Sequence, residues 1–156
     1  MSTSKHHHLS RTIFFILTLA IIALFFQSCT KKLTFAISSV VPSAEGTVKI
    51  KQDRNHNYKI DLNVIRLSEP ERLTPPKDVY IVWMDSDDNG ITNIGQLKTS
   101  KSLKSSLNTV TSFKPKSFFI TAEDHGNIQY SGDEVVLRTG TYWSSILASA
   151  AVPNEY

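Results

Sequence analysis

The chain has 156 residues, with 17 lysines and arginines, 14 aspartates and glutamates, and one cysteine. This length suits a single domain with enough interior to fold alone, and one cysteine excludes an internal disulfide. The charges are nearly balanced and no basic stripe with interleaved aromatic residues is present, so we expect no nucleic-acid partner.

The N-terminus combines a basic start, an apolar run and the cysteine. Lys5 and Arg11 come first, residues 12–26 form a 15-residue apolar run, and Ser28 stands directly before Cys29. The run is too short for a membrane-spanning helix, which needs about 20 residues, but its length is typical of a signal-peptide core. The first residues are therefore expected to direct export and not to join the fold.

A small residue directly before a cysteine, just after such a run, resembles a bacterial lipoprotein signal, although Phe26 and Gln27 depart from the tighter L-[AS]-[GA]-C pattern. The resemblance implies that residues 1–28 are removed and that Cys29 carries the lipid anchor, palmitate included, with residues 29–32 as a tether. We therefore expect an extracytoplasmic, lipid-anchored protein of the bacterial cell envelope, with the membrane as one partner. The alternative is a plain secretory signal or an N-terminal anchor helix, in which Cys29 has no role.

The residues next to Cys29 bear on its surroundings. The mature chain, 29–156, would carry 15 basic and 14 acidic residues, a net charge of +1. Lys31 and Lys32 are expected to face anionic lipid headgroups. Thr30, rather than aspartate, after the cysteine resembles outer-membrane sorting in many Gram-negative lipoproteins, so the outer membrane is expected over the inner one in such an organism.

Much of the chain after the tether has the two-residue period of half-buried strands. Residues 33–38, 48–52 and 57–64 alternate apolar side chains with polar or small ones. The polar turn cluster at 53–57 separates the last two, which predicts a β-hairpin over residues 47–65.

The next stretch, residues 68–77, contains three prolines and is expected to cross between two sheets in an extended conformation. Residues 79–84 are apolar on both faces, which predicts a central strand, and residues 117–123 and 134–138 predict two more strands. Residues 103–113 are ambiguous, because their apolar residues fit helical spacing while their serines and threonines are weak helix formers.

Residues 83–96, WMDSDDNGITNIGQ, contain the front half of a calcium loop, D-x-[DN]-x-[DN]-G. In such a loop calcium would be bound by Asp85, Asp87, Asn89, the carbonyl of Ile91, and Gln96. Gln96 stands where a glutamate would supply two oxygens and a negative charge, so only a weak calcium site is expected. Asp-Asn-Gly between two strands equally predicts a polar hairpin turn without metal.

Several short strands with turn signals and almost no helix predict an all-β fold, an antiparallel immunoglobulin-like β-sandwich over residues 33–140. In the C-terminal segment, residues 141–156, Trp143 and the apolar residues after it follow helical spacing. This segment predicts either a short helix docked on the sandwich or an exposed Trp143 that contacts a glycan or a protein partner.

The stretch 79–137 resembles the extracytoplasmic C-terminal domain of anti-sigma-K factors. The residues that carry the resemblance are Val79, Tyr80, Trp83, Gly95, Phe119, Ile120, Thr121, Glu123 and Val135–Leu137. The Pro- and Gly-rich signature that follows the glutamate in that family is missing here, as are its sigma-binding domain and its transmembrane helix. The resemblance therefore implies the sandwich fold and an extracytoplasmic location, but not inhibition of a sigma factor.

Catalytic signals are missing from the sequence. There is no G-x-S-x-G, H-E-x-x-H or C-x-x-C pattern, and residues 123–125, the densest titratable triplet, suit a solvated loop. We therefore expect no enzymatic activity but an interaction or structural role, with an unidentified envelope protein as partner. The alternative is a calcium- or glycan-binding surface module. The end of the sandwich with the 85–90 turn is the expected binding end, and Trp143 is a second candidate.

Overall fold

The computed structural model describes Ile16, Thr18, residues 30–98, Ser100 and residues 102–141. Its eight described strands form two four-stranded antiparallel sheets, with the order β1-β2-β3-β6 in sheet 1 and β5-β4-β7-β8 in sheet 2. The strands are β1 (Thr30–Thr34), β2 (Glu45–Gln52), β3 (Tyr58–Ile65), β4 (Val79–Ser86), β5 (Gly90–Leu97), β6 (Lys104–Thr111), β7 (Pro115–Glu123) and β8 (Val135–Arg138). This confirms the all-β sandwich.

The two-residue period of β2 and β3 places one side of sheet 1 in the core. Val48, Ile50, Ile60, Leu62 and Val64 are all at most 2% exposed, whereas the residues between them face outward. The two strands pair from Glu45 opposite Ile65 to Gln52 opposite Tyr58, which confirms the hairpin predicted over 47–65. Burial of alternate β-branched and leucine side chains against sheet 2 holds this sheet in register.

Sheet 2 is apolar on both of its faces. β4 lies between β5 and β7, which confirms the central strand predicted for residues 79–84. Its side chains Tyr80, Val82 and Met84 join the main core, whereas Ile81 and Trp83 join a second apolar cluster on the other face. Residues 68–77 do cross from sheet 1 to sheet 2, with one 3-10 turn at Pro70–Arg72.

The sandwich is closed along both sides. After β1 the chain leaves sheet 1 and runs along β8, where Phe35 bridges Thr139 and the amide of Ala36 donates to the carbonyl of Arg138 at 2.9 Å. On the other side β5 approaches β6 at Gly95, whose φ is +141° and where an added Cβ would lie 2.9 Å from Leu107 Cδ1. A side chain is excluded there because β6 packs directly against the backbone of β5.

Residues 103–113, which the sequence left ambiguous, form a strand from Lys104 to Thr111, because β6 pairs along its whole length with β3; Val110 on this strand is 60% exposed. Two sequence predictions differ from the structure. β1 begins at Thr30, so it extends into residues 29–32, which were assigned to a tether. The strand order is also not that of the immunoglobulin fold, whose first sheet would read 1-2-5-4 in chain order.

Residues 112–114 join the end of β6 in sheet 1 to the start of β7 in sheet 2, so these strand ends lie at one end of the sandwich. The same end, called here the Thr30 end, contains Thr30 and the turns at 53–57 and 87–89, since Thr30 pairs with Lys51, Tyr58 with Thr111, and Ser86 with Pro115. The opposite end, called the far end, contains residues 66–78 and 124–134.

Candidate functional site

The stretch Asp85–Gly90 forms the turn of the β4–β5 hairpin. Ser86 pairs with Gly90, which leaves a three-residue loop, and Gly90 has a φ of +64°. The Ser86 hydroxyl accepts a hydrogen bond from the Asn89 amide at 3.2 Å and donates one to the Gly90 carbonyl at 3.2 Å. A glycine in the left-handed region after a three-residue loop is a standard way to close a hairpin. The hairpin alternative therefore describes the local structure.

A lysine lies where the calcium interpretation would place a metal. The Lys116 ammonium, from β7, is 3.5 Å from Asp87 Oδ1 and 3.9 Å from Asp85 Oδ2. Asn89 turns its amide nitrogen toward Thr92 Oγ1, at 2.9 Å. The structure therefore brings Asp85 and Asp87 together around a cation supplied by the protein itself.

The last of the predicted calcium ligands, Gln96, lies away from this turn. Ile91 pairs with Asp85 in the hairpin, whereas Gln96 pairs with Ile81, five residues further along β5 and therefore roughly 16 Å from Ile91. Gln96 Oε1 instead lies beside Gly126, which is in the loop between β7 and β8. A Cβ added to Gly126 would be 3.0 Å from this oxygen. Within the described part of the chain, no group of three or more His, Cys, Asp or Glu side chains is arranged to hold a metal ion.

The second apolar cluster lies on the outer face of sheet 2, and sequence reasoning did not identify it. Trp83 stacks on Phe119 with ring centroids 6.2 Å apart, and its indole N–H donates to Thr121 Oγ1 at 2.8 Å. The Arg138 guanidinium carbon lies 4.6 Å from the centroid of Phe119. The only sequence signal was the apolar character of both faces of β4, which indicates that something must cover the outer one.

The β7–β8 loop, residues 124–134, packs against this cluster through Ile128. Asn93 on β5 holds the loop, since its side-chain amide donates to the carbonyls of Ile128 at 3.0 Å and of Gly126 at 3.3 Å. The loop also presents Tyr130, which is 85% exposed. An aromatic side chain exposed on an otherwise anchored loop is suited to contact a partner, because aromatic residues dominate interface energetics.

Two residues of the titratable triplet at 123–125 bind neighbouring segments, one the β7–β8 loop and the other the crossing segment before β4. Glu123 accepts a hydrogen bond from the Gly132 amide at 2.8 Å, and Asp124 binds the Lys77 ammonium at 3.0 Å. The hydrogen bond to Asp124 raises the pKa of Lys77 above its ordinary value. His125 is exposed. Both carboxylates therefore have partners within the fold.

The far end also contains a groove of about 550 Å³ between the crossing segment and the start of β4. Three carboxylates, those of Glu69, Glu71 and Asp78, line it together with Lys98. This gives the far end an acidic concavity.

Two of the predicted functional residues, Cys29 and Trp143, lie outside the described residues, as does almost all of the apolar run at 12–26. Among the residues that the structure describes, no helix is long and apolar enough to cross a membrane.

No family model, curated protein or solved structure matches this chain. The residues that carry the resemblance to anti-sigma-K C-terminal domains all lie in sheet 2, on β4, β5, β7 and β8.

Proposed function

We propose that this protein is a bacterial envelope lipoprotein, an extracytoplasmic β-sandwich held at the membrane by an acylated Cys29 and acting by binding another envelope component rather than by catalysis. The observation that carries the proposal is the position of β1, whose first residue, Thr30, directly follows the cysteine and already pairs with Lys51. A lipid on Cys29 would therefore bring the fold itself to the bilayer surface, without a flexible linker between them.

This attachment orients the sandwich. The Thr30 end, including the 87–89 turn, faces the membrane, and the far end and the β7–β8 loop face away from it. The surface offered to a partner is then the region of Tyr130 together with the acidic groove, and not the 85–90 turn that the sequence favoured. The resemblance to anti-sigma-K C-terminal domains supports the extracytoplasmic location, since in that family the module is an extracytoplasmic sandwich separate from the sigma-binding domain.

The anchor is tested by metabolic labelling of the full chain with an alkyne analogue of palmitate, followed by membrane fractionation. Cys29→Ser should abolish the label and release the protein from membranes, because the acyl chains attach to that cysteine. Ser28→Ala keeps a small residue before the cysteine and should keep the label, which controls for general damage to the signal. Persistent labelling of Cys29→Ser would contradict the proposal.

The binding role is tested with a photo-crosslinking phenylalanine derivative placed at single positions in the lipidated chain. At Tyr130, which faces away from the membrane in this orientation, it should give a discrete protein adduct. At Asp88, on the Thr30 end, it should give lipid adducts or none. A protein adduct from Asp88 with none from Tyr130 would refute the orientation.

A further inference from the structure

The outer face of sheet 1 carries two adjacent pairs of lysines. Lys32 on β1 lies directly opposite Lys49 on β2, and Lys51 on β2 lies directly opposite Lys59 on β3. All four are exposed and point away from the core. Directly opposite residues on one face have Cβ atoms roughly 5 Å apart, so the four ammonium groups share a patch of roughly 7 by 10 Å.

The positive charge of this patch is only partly compensated, because one carboxylate faces four lysines. Asp61, opposite Lys49, is the one carboxylate in these two rows, and it accepts a hydrogen bond from the Asn63 amide at 2.7 Å. Within the described part of the chain none of the four lysines forms an ion pair. Like charges directly opposite each other destabilise a sheet. Two such pairs side by side therefore do not stabilise the fold, which favours a role in binding an anionic partner.

The patch is also confined to one part of the sheet. Its two rows are those nearest to Thr30, the residue next to Cys29. The next row toward the far end contains no charged residue and consists of Thr34, Thr47, Asn63 and Ser106. The lysines therefore lie where the chain would meet a bilayer.

We propose that this lysine face, Lys32, Lys49, Lys51 and Lys59, binds the anionic phospholipid headgroups of the membrane, so that the Thr30 end of sheet 1 tilts onto the bilayer beside the anchor and the far end stays away from it. The two rows contain no aromatic residue on which a nucleic-acid base could stack, which favours a lipid surface as the polyanion. Basic residues near an anionic membrane surface each strengthen binding about fivefold. The inference rests on the proposed function for its location, but headgroup binding itself needs no lipid on Cys29.

The test uses residues 30–156, since every described residue of both apolar clusters lies between Leu33 and Leu137 and the strands form a closed sandwich. Sedimentation should show binding to vesicles with about one third phosphatidylglycerol, no binding to pure phosphatidylcholine, and release in about 0.5 M salt. Lys51→Gln/Lys59→Gln should lower the partition coefficient about 25-fold. The melting temperature of this double variant should equal or exceed that of the wild type, because the two substitutions remove a repulsive pair of lysines.

The matched control is Lys98→Gln/Lys104→Gln, which removes two exposed lysines at the other end of the strands and should change binding less than twofold. Equal losses for the two double variants, or no binding of the wild type to anionic vesicles, would overturn the proposal. Binding to duplex DNA at least as tight at equal phosphate concentration would overturn the choice of lipid. Because this chain lacks Cys29, failure here and failure of the labelling experiment are independent outcomes.

Discussion

Replacing Thr121 with valine should lower the free energy of unfolding by about 2 kcal/mol. The Thr121 hydroxyl accepts the indole N–H of Trp83 at 2.8 Å, and both residues are fully buried. Valine has nearly the shape of threonine, so packing in the second apolar cluster is retained and the main change is the lost acceptor. A buried N–H without a partner costs about 1 to 3 kcal/mol, which sets the size of the effect.

The effect is measured by urea unfolding and thermal melts followed by circular dichroism. For a folded unit of roughly 110 residues, a loss of about 2 kcal/mol corresponds to a melting temperature about 8 °C lower. Thr121→Ser keeps the hydroxyl and loses one buried methyl, so it should cost only about 0.8 kcal/mol.

A double-mutant cycle with Trp83→Phe isolates the hydrogen bond from the change in ring size. The coupling energy between the two positions should be about 1 to 2 kcal/mol, because either single change breaks the same bond. A cost of Thr121→Val below about 0.5 kcal/mol, together with a coupling near zero, would refute the reasoning: the indole would then have found another acceptor.

Three more predictions follow from single features of the fold. Gly90→Ala should destabilise by about 1 kcal/mol in urea unfolding, because φ is +64° there, and Gly90→Asn should cost less; equal costs would contradict the strain argument. Millimolar calcium should shift the melting temperature by less than about 1 °C, because the protein's own lysine lies between Asp85 and Asp87; a rise of several degrees, lost in Asp85→Ala/Asp87→Ala, would restore the metal loop. Burial raises the pKa of Tyr80, so the unfolded chain loses the tyrosine proton at a lower pH than the folded chain does. The contribution of neutral Tyr80 to the free energy of unfolding is therefore intact below about pH 10 and is lost as the pH rises above that value. In Tyr80→Phe the free energy of unfolding should therefore fall less steeply above about pH 10 than in the wild type. A steeper fall would contradict a raised pKa for Tyr80. Near pH 7 the same change should cost little, because the Tyr80 hydroxyl lies near Ser68 but forms no hydrogen bond of standard geometry, and a loss above about 1 kcal/mol would mean that the two side chains are hydrogen-bonded.

The strands that the sequence predicted are those whose pattern of apolar residues matches what covers each of their two faces. In the 47–65 hairpin every second residue is apolar, since one face is core and the other is solvent. In 79–84 no alternation exists, because both faces of β4 are covered. In both cases local pattern and tertiary environment agree, so the pattern was sufficient.

The parts that could not be predicted depend on contacts between distant segments. β6 has few large apolar residues, and only its pairing with β3 makes it a strand. The transfer of the chain from sheet 1 to β8 at Phe35 depends on a bridge to Thr139, more than a hundred residues away. The departure from immunoglobulin order depends on the pairing of β3 with both β2 and β6. No local preference encodes such a pairing.

The same division holds for the candidate sites. Asn89-Gly90 predicted the hairpin turn correctly, because those residue types suit its backbone conformation. The position of Lys116 between the two aspartates depends on the register of β4 with β7, which a single sequence does not reveal. For the lysine face the alternation of VKIKQ showed that Lys49 and Lys51 face solvent, but only the registers of three strands place Lys32 and Lys59 beside them.

Together the two proposals separate the surfaces of the sandwich by role. If the lysine face lies on the bilayer, sheet 2 is the layer turned away from it, and the outer side of sheet 2 faces the aqueous phase. The β7–β8 loop covers that cluster, and Asn93 holds the loop in place through two carbonyls. Asn93→Ala should therefore loosen the loop and weaken any contact made through Tyr130, while leaving vesicle binding unchanged. Photo-crosslinking from Tyr130 in the Asn93→Ala chain measures this directly, and an undiminished adduct would mean that the partner binds elsewhere, with the acidic groove at the far end as the next surface to probe.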